Sequence, residues 1–286
     1  MAVTFKKYHG LGNDYLVYDT IKNDYEITPE KARLICNRNF GVGSDGILAG
    51  PIFEEDGIHV KILNPDGSEA EKSGNGMRIF ARYLKDNDYI QKKQFTLQTS
   101  GGPLKVTYLN ESGSRLRISM GKLSFNSEEI PVTGEKRRVI NEDMVFGGKT
   151  YQVTCATIGN PHCVIPMEDI SKEKVCEIGR YTEHADCFPN RINTEIMKIM
   201  DEYNIQIECY ERGAGYTLAS GTSSCAAAGA AYQLGLTGNK VTVHMPGGEL
   251  QVEIEDDGEV LMTGDVGYIG TITLGYEFLA KLRVFR

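Results

Sequence analysis

Hydrophobic and polar residues alternate along much of the chain with the two-residue period of β-strands. Side chains that alternate in this way point to opposite faces of a sheet, so that one face can be buried. We therefore predict strands at Leu16–Tyr18, Val60–Leu63, Leu116–Ser119, Asn204–Cys209 and Val260–Met262.

Helical spacing is less common along the chain. A Thr-Pro pair at 28–29 has the residue types that begin helices, and that segment continues to Cys36. Apolar residues of the segment 77–84 fall on one face of a second predicted helix. The alanine-rich run 225–232 predicts a third helix, with side chains small enough for close packing inside a lobe.

Three sequence landmarks occur twice, in the same order and about half the chain apart. A Gly-Asn pair, a Ser-Gly turn before a helix, and a Gly-Gly hairpin recur at an offset of 147, 147 and 146 residues, respectively: Gly12 and Gly159, Ser73 and Ser220, Gly101 and Gly247. Recurrence at one period indicates an internal duplication.

The predicted fold class is therefore α+β, with two pseudo-symmetric lobes that arose by duplication. Each lobe is expected to be a mostly antiparallel sheet wrapped around a central helix. We predict an N-terminal lobe at residues 1–122, completed by a C-terminal strand at about 267–286, and a C-terminal lobe at residues 123–266.

Composition limits the classes of partner. With 31 basic and 39 acidic residues the net charge is -8, which provides no basic face for nucleic acid and no polybasic membrane segment. No apolar run approaches the roughly 18 residues of a spanning helix, and the N-terminus lacks an apolar signal core. We predict a cytoplasmic protein that binds a small polar ligand.

The seven cysteines are odd in number and show no C-x-x-C spacing. Most of them lie among apolar residues, as in Leu34-Ile-Cys36. We therefore expect buried reduced thiols, with neither a disulfide framework nor a metal site.

The two Ser-Gly turns are the strongest candidates for chemistry. The first N–H groups of a helix have no intrahelical acceptor, so a helix N-terminus attracts anions such as a carboxylate. If a pseudo-twofold axis turns both helix ends toward a cleft between the lobes, they can hold one small anion from two sides. Removal of the α-proton of an amino acid spreads charge into its carboxylate, which N–H donors stabilise. Inversion then needs one group on each face of the α-carbon.

The chain resembles the diaminopimelate epimerases over nearly its whole length. The resemblance rests on five motifs in the family's order: His9-Gly-Leu-Gly-Asn-Asp-Tyr15, Asn64-Pro-Asp-Gly-Ser-Glu69, Gly74-Asn-Gly76, Gly159-Asn-Pro-His162 and Glu211-Arg-Gly-Ala-Gly215. It implies two lobes with a cleft, no metal or pyridoxal phosphate, and a homodimer that interconverts the LL and meso forms of diaminopimelate.

The resemblance also implies roles for individual residues. Ser73 and Ser220 occupy the positions where the family places a thiolate/thiol pair of cysteines, one accepting the α-proton and the other donating. His162 and Glu211 match the residues that assist those thiols. The remaining matches bind substrate, with Arg212 suited to a bidentate carboxylate contact: Asn13, Gly46, Asn64, Gly74, Asn75, Asn160, Asn193, Arg212, Gly221 and Thr222.

Each of these residues also has a purely structural interpretation. Serine is a favoured helix N-cap, and asparagine is a common turn residue. A histidine such as His162 can be a hydrogen-bonded loop residue, and a glutamate such as Glu211 can be a solvated carboxylate.

The chain departs from the family pattern at several positions. A serine hydroxyl stays protonated near neutral pH, whereas a helix N-terminus can lower the pKa of a thiol from about 8.5. We therefore expect Ser73 and Ser220 to cripple proton transfer while binding remains. Replacement at only these two positions favours deliberate substitution over drift, with a natural pseudoenzyme as the alternative. Tyr216 and Gly46 also depart from the family and bear on the choice of substrate.

Three functions remain open from the sequence. The first is a diaminopimelate epimerase in a double-serine form, supported by Asn64, Asn193 and Arg212, which suit a substrate with a second amino-acid head. The second is a related cofactor-free racemase of another amino acid, such as histidine. The third is a non-catalytic amino-acid-binding protein.

Overall fold

The computed structural model describes residues 2–70 and 73–284. It divides into two compact units, residues 1–118 with 264–286, and residues 119–263. The predicted α+β class is confirmed, since each unit combines a mixed sheet with long helices.

The first unit begins with eight strands and two helices. In chain order they are β1 Thr4–Gly10, β2 Asn13–Tyr18, α1 Pro29–Cys36, β3 Ile47–Glu54, β4 Gly57–Leu63, β5 Glu69–Ala70, α2 Gly74–Asp86, β6 Gln94–Thr99, β7 Gly102–Tyr108 and β8 Arg115–Lys122.

The second unit repeats this succession of elements. They are β9 Glu142–Phe146, β10 Lys149–Thr157, β11 Pro161–Pro166, α3 Lys172–Thr182, β12 Asn193–Asp201, β13 Asn204–Glu211, β14 Gly215–Thr217, α4 Gly221–Gln233, β15 Lys240–Met245, β16 Gly248–Ile254 and β17 Glu259–Asp265. The last elements, β18 Gly267–Thr273 and α5 Tyr276–Leu282, belong to the first unit.

Strand pairing follows the same order in both units. In the first, β18 pairs with β1 and the order continues through β2, β3, β4, β6 and β7 to β8. In the second, the order is β9, β10, β11, β12, β13, β15, β16 and β17. Of the pairs named here, four are parallel: β2–β3 and β4–β6 in the first unit, and β11–β12 and β13–β15 in the second. The mostly antiparallel character agrees with the prediction.

The central helices are α2 and α4. Helix α2 packs against β1, β2 and β3, and α4 contacts β10, β11, β12, β13, β15 and β16. Ten of the thirteen residues of α4 are buried, because alanine and glycine allow strands to approach the helix from several sides. At Gly229 a β-carbon would lie 2.3 Å from Leu123 Cδ1, so a larger residue there would have to displace the Leu123 side chain.

The predicted C-terminal strand is wrong beyond Thr273. A helix follows, because Phe278, Leu279 and Leu282 share one helical face and pack on the core of the first unit. Residues 285–286 of the predicted strand lie outside the described residues. None of the helices in the described ranges combines the length and the apolar character that crossing a bilayer requires.

Candidate functional site

Ser73 caps the N-terminus of α2 in the first unit. Its backbone is extended (φ -144°, ψ 113°), and its Oγ accepts a hydrogen bond from the N–H of Gly76 at 3.1 Å. The Tyr15 hydroxyl lies 3.1 Å from the same oxygen. Ser73 is therefore a helix cap whose hydroxyl also contacts a phenol from strand β2.

Buried hydrogen bonds from Arg78 hold Gly74 and Asn75, the two residues that follow Ser73. Asn75 is buried, and its Oδ1 accepts a hydrogen bond of 2.6 Å from the guanidinium of Arg78. Arg78 is itself fully buried, and its second terminal nitrogen lies 3.4 Å from the carbonyl oxygen of Gly74. Arg78 thus engages the acceptor oxygen of Asn75, and the first turn of α2 offers backbone N–H groups to an anion.

The other predicted residues of this unit lie at the start of β2 (Asn13) and in loops (Asn64 and Gly46). Asn13 donates to Asp45 Oδ2 at 2.9 Å, and Asn64 donates to Ser68 Oγ at 3.0 Å. Gly46 is buried, and a β-carbon there would lie 2.6 Å from the Tyr15 ring. The structure thus connects Gly46 with Ser73 through Tyr15, and it engages Asn13 and Asn64 elsewhere.

Ser220 caps α4 in the second unit with an equivalent geometry. Its backbone is extended (φ -138°, ψ 128°), and its Oγ lies 3.4 Å from the N–H of Ser223. The hydroxyl donates to Glu211 Oε2 at 2.9 Å and lies 3.5 Å from Thr222 Oγ1. Ser220 therefore contacts a carboxylate, whereas Ser73 contacts a phenol.

Glu211 ends strand β13 immediately before the turn to β14. Burial raises the pKa of its carboxyl above the ordinary value of 4.5, while the hydrogen bond from Ser220 opposes that shift. A carboxyl with a raised pKa exchanges protons more readily near neutral pH. Glu211 can thus act on the proton of the side chain at position 220.

A chain of hydrogen bonds leads from Thr222 into the core. Asn160 Nδ2 donates to Thr222 Oγ1 at 3.2 Å, and Asn160 Oδ1 lies 3.0 Å from His162 Nε2. The other ring nitrogen, Nδ1, lies 2.7 Å from Glu195 Oε1. The side chains of His162 and Glu195 are both fully buried. A carboxylate partner of this kind fixes the orientation of an imidazole.

Asn193 and Arg212 lie at the edge of this network. Asn193 is buried; its Nδ2 donates to the carbonyl oxygen of Pro161 at 2.7 Å, and its Oδ1 accepts from the N–H of Arg212 at 2.9 Å. The guanidinium of Arg212 is exposed and donates to the carbonyl oxygen of Asn190 at 3.0 Å. Asn193 therefore holds backbone in place, and Arg212 is the residue whose charged group reaches solvent.

Two side chains at these sites are absent from the sequence-based prediction. Tyr15 lies in the first family motif, but nothing in that motif indicates that its hydroxyl reaches Ser73. Glu195 lies two residues after Asn193 on β12, hence on the same strand face, and this spacing is the signal in the sequence that could have identified it.

Tyr216, one of the departures from the family pattern, donates a hydrogen bond to Glu208 Oε2 at 2.9 Å.

Comparisons with known proteins agree with this architecture. A sequence profile of the diaminopimelate epimerase family matches residues 5–126 and 154–269. Diaminopimelate epimerase 2 of Nostoc sp. is 48% identical over 277 residues, covering 96% of this chain and 97% of that protein. The diaminopimelate epimerase of Moorella thermoacetica is 38% identical over 264 residues, covering 91% and 95%.

Solved structures that resemble the chain are more distant in sequence and show the fold alone. A probable proline racemase from Agrobacterium radiobacter superposes with a TM-score of 0.69 at 14% identity, covering 96% of this chain and 93% of that one. A phenazine biosynthesis protein of the PhzF family from Enterococcus faecalis has a TM-score of 0.67 at 12% identity, covering 96% and 100%. From the profile match and the close relatives together, the chain belongs to the diaminopimelate epimerase family.

Proposed function

We propose that this chain is a diaminopimelate epimerase whose two acid/base positions, 73 and 220, carry serine. One observation carries the proposal: serines 147 residues apart cap equivalent helices with the same extended backbone. Membership in the family supplies the reaction, which is cofactor-independent interconversion of the LL and meso forms of diaminopimelate.

The chemistry follows from what each helix N-terminus offers. Removal of the α-proton places negative charge on the substrate carboxylate, and preorganised backbone N–H groups stabilise that charge as it develops. One group must take the proton and another must return it on the opposite face of the α-carbon. We assign residue 73 to one of these roles and residue 220 to the other.

Serine at these positions supports substrate binding but not efficient proton transfer. A thiol has a pKa of about 8.5, which a helix N-terminus lowers, so that a thiolate is available near neutral pH. A serine hydroxyl remains protonated there. The carboxylate of Glu211 beside Ser220 does not replace the missing thiol, because the hydroxyl is a far weaker acid.

Restoration of the cysteines tests the proposal directly. The double variant Ser73→Cys/Ser220→Cys is incubated with LL-diaminopimelate in deuterated water, and NMR follows exchange of the α-hydrogen. One positioned acid/base group contributes about 10²- to 10⁴-fold to the rate. We therefore expect α-hydrogen exchange in the double variant to be faster, by at least that factor, than in the chain with two serines and in either single variant. A folded double variant without exchange supports the alternative, an amino-acid-binding protein without catalysis.

Calorimetry addresses the choice of substrate. LL-diaminopimelate, meso-diaminopimelate, histidine and glutamate are titrated into the chain with serine at both positions. We expect diaminopimelate to bind most tightly, since Arg212 presents an exposed guanidinium suited to a distal carboxylate. Stronger binding of histidine favours a racemase of another amino acid, and equal weak binding of all four contradicts the substrate assignment.

Two further proposals concern the setting in which the protein works. We propose a cytoplasmic homodimer, as the family resemblance implies. Sedimentation equilibrium of the purified chain, with a monomer mass of 31.7 kDa, tests the dimer. A single monomeric species at all concentrations contradicts it.

A further inference from the structure

The hydroxyl of Tyr15 is an unassigned group beside a proposed acid/base position. Tyr15 lies on β2 and is 7% exposed, and its oxygen is 3.1 Å from Ser73 Oγ. Ser73 Oγ also accepts the N–H of Gly76. Two hydrogen-bonding groups, one from α2 and one from β2, therefore converge on the side chain at position 73.

The ring of Tyr15 is buried and packs closely against Gly46. Gly46 lies against it so closely that a β-carbon at position 46 would be 2.6 Å from Cε1 of the ring and 2.7 Å from the carbonyl oxygen of Leu63. Because Gly46 has no side chain, the ring of Tyr15 can pack directly against its backbone. The packing of the Tyr15 ring on Gly46 therefore helps to place the phenol hydroxyl beside residue 73.

We propose that Tyr15 is a positioning residue for the acid/base group at position 73. Its phenol donates a hydrogen bond to that side chain and stabilises the anionic form when the side chain is a cysteine thiolate. A thiolate only accepts hydrogen bonds, so the direction of the bond is then fixed with Tyr15 as the donor. This inference rests on the proposed function, since it assigns a proton-transfer role to residue 73.

The equivalent position in the second unit differs in kind. Ser220 donates to the carboxylate of Glu211, an acceptor that opposes formation of an anion at position 220. The phenol donor lowers the pKa of a thiol at position 73, whereas the carboxylate acceptor raises the pKa of a thiol at position 220. With cysteine restored at both positions and no substrate bound, we expect the thiolate at position 73 and the protonated thiol at position 220.

The test measures the pKa of a cysteine placed at position 73. In the Ser73→Cys variant, the rate of alkylation by iodoacetamide is measured against pH, and mass spectrometry of the peptide separates the introduced thiol from the seven native cysteines. A hydrogen bond to a charged group corresponds to about 1 to 2 pKa units. Adding Tyr15→Phe, which keeps the ring on Gly46 and removes the hydroxyl, is expected to raise the pKa of the introduced thiol by that amount.

A matched control comes from the same strand. Tyr18→Phe removes another phenol that hydrogen-bonds, in this case to the backbone of Tyr25, and should leave the pKa of the introduced thiol unchanged. Every charged residue of the chain, including Arg78, Asp14 and Asp45, is the same in all of these variants. An unchanged pKa in folded Tyr15→Phe, or an equal change in Tyr18→Phe, overturns the proposal.

A second readout separates positioning from substrate binding. In the chain with serine at both positions, Tyr15→Phe should leave the calorimetric affinity for diaminopimelate unchanged, because the phenol acts on residue 73. A large loss of affinity without any change in the pKa of the introduced thiol would make Tyr15 a substrate-binding residue instead. The alkylation assay contains no substrate, so its outcome stands even if the restored enzyme proves inactive.

Discussion

Replacement of Glu211 by glutamine should affect stability and activity in opposite directions. Glutamine has nearly the same shape, and its amide oxygen can still accept the hydrogen bond that Ser220 donates at 2.9 Å. What the substitution removes is the ionisable group. The change therefore isolates the charge of Glu211 from its packing.

The sign of the stability effect follows from the pKa. Burial raises the pKa of Glu211 above 4.5, so the folded state binds its proton more tightly than the unfolded state does. Its stabilising contribution is complete below the unfolded pKa and is lost as pH rises through the folded pKa. Within that window the loss reaches at most about 1.4 kcal/mol per pH unit. Glu211→Gln should thus be more stable than the chain at neutral pH, with the gain vanishing near pH ~4.

Urea denaturation of both proteins between acid and neutral pH measures this difference. Glu208→Gln is the matched control, because Glu208 lies on the same strand, is also buried with a raised pKa, and accepts a hydrogen bond from Tyr216. Residues 208 and 211 point to opposite faces of β13. The control should gain stability at neutral pH in the same way.

Activity distinguishes the two variants. In the double-cysteine form, Glu211→Gln should lower kcat by about 10²- to 10⁴-fold, the contribution of one acid/base group. Glu208→Gln should leave kcat near the parent value. If Glu211→Gln and its parent had the same free energy of unfolding at every pH, the raised pKa of the Glu211 carboxyl would be refuted. Unchanged kcat would reduce Glu211 to a structural residue.

Two further substitutions test the support of each site. Gly46→Ala should cost about 1 to 3 kcal/mol in urea denaturation, the usual cost of overpacking, because its β-carbon would lie 2.6 Å from Tyr15 and 2.7 Å from the Leu63 carbonyl; a stability equal to that of the parent would show that the ring moves freely. Glu195→Ala should cost about 1 to 3 kcal/mol, as expected when a buried hydrogen-bonding group loses its partner, since it leaves Nδ1 of the fully buried His162 without its carboxylate; an unchanged stability by the same assay contradicts the pairing as a structural anchor.

Much of the fold could be predicted from short stretches of sequence. The alternation at Val60–Leu63 and the capping residues Thr28 and Ser73 act over a few residues, so the pattern and the structure agree there. The C-terminal segment is different. Its apolar residues suit a strand or a helix, and packing on the core of the first unit selects the helix α5.

The candidate site divides in the same way. The two capping serines are local features, and the repeat made them visible as a pair in the sequence. Other contacts at the candidate sites join residues far apart in the chain: Tyr15 is 58 residues from Ser73, and Glu195 is 33 residues from His162. Which side chains meet at such separations depends on strand register and on the packing of helices against sheets.

The sequence by itself therefore determined the duplication, the helix ends at 73 and 220, and membership in a family through ordered motifs. Only the tertiary structure decided that a phenol contacts position 73 while a carboxylate contacts position 220. The physical reason is that helix capping is settled by neighbours along the chain, whereas the proton affinity of a side chain is set by the groups that folding brings around it.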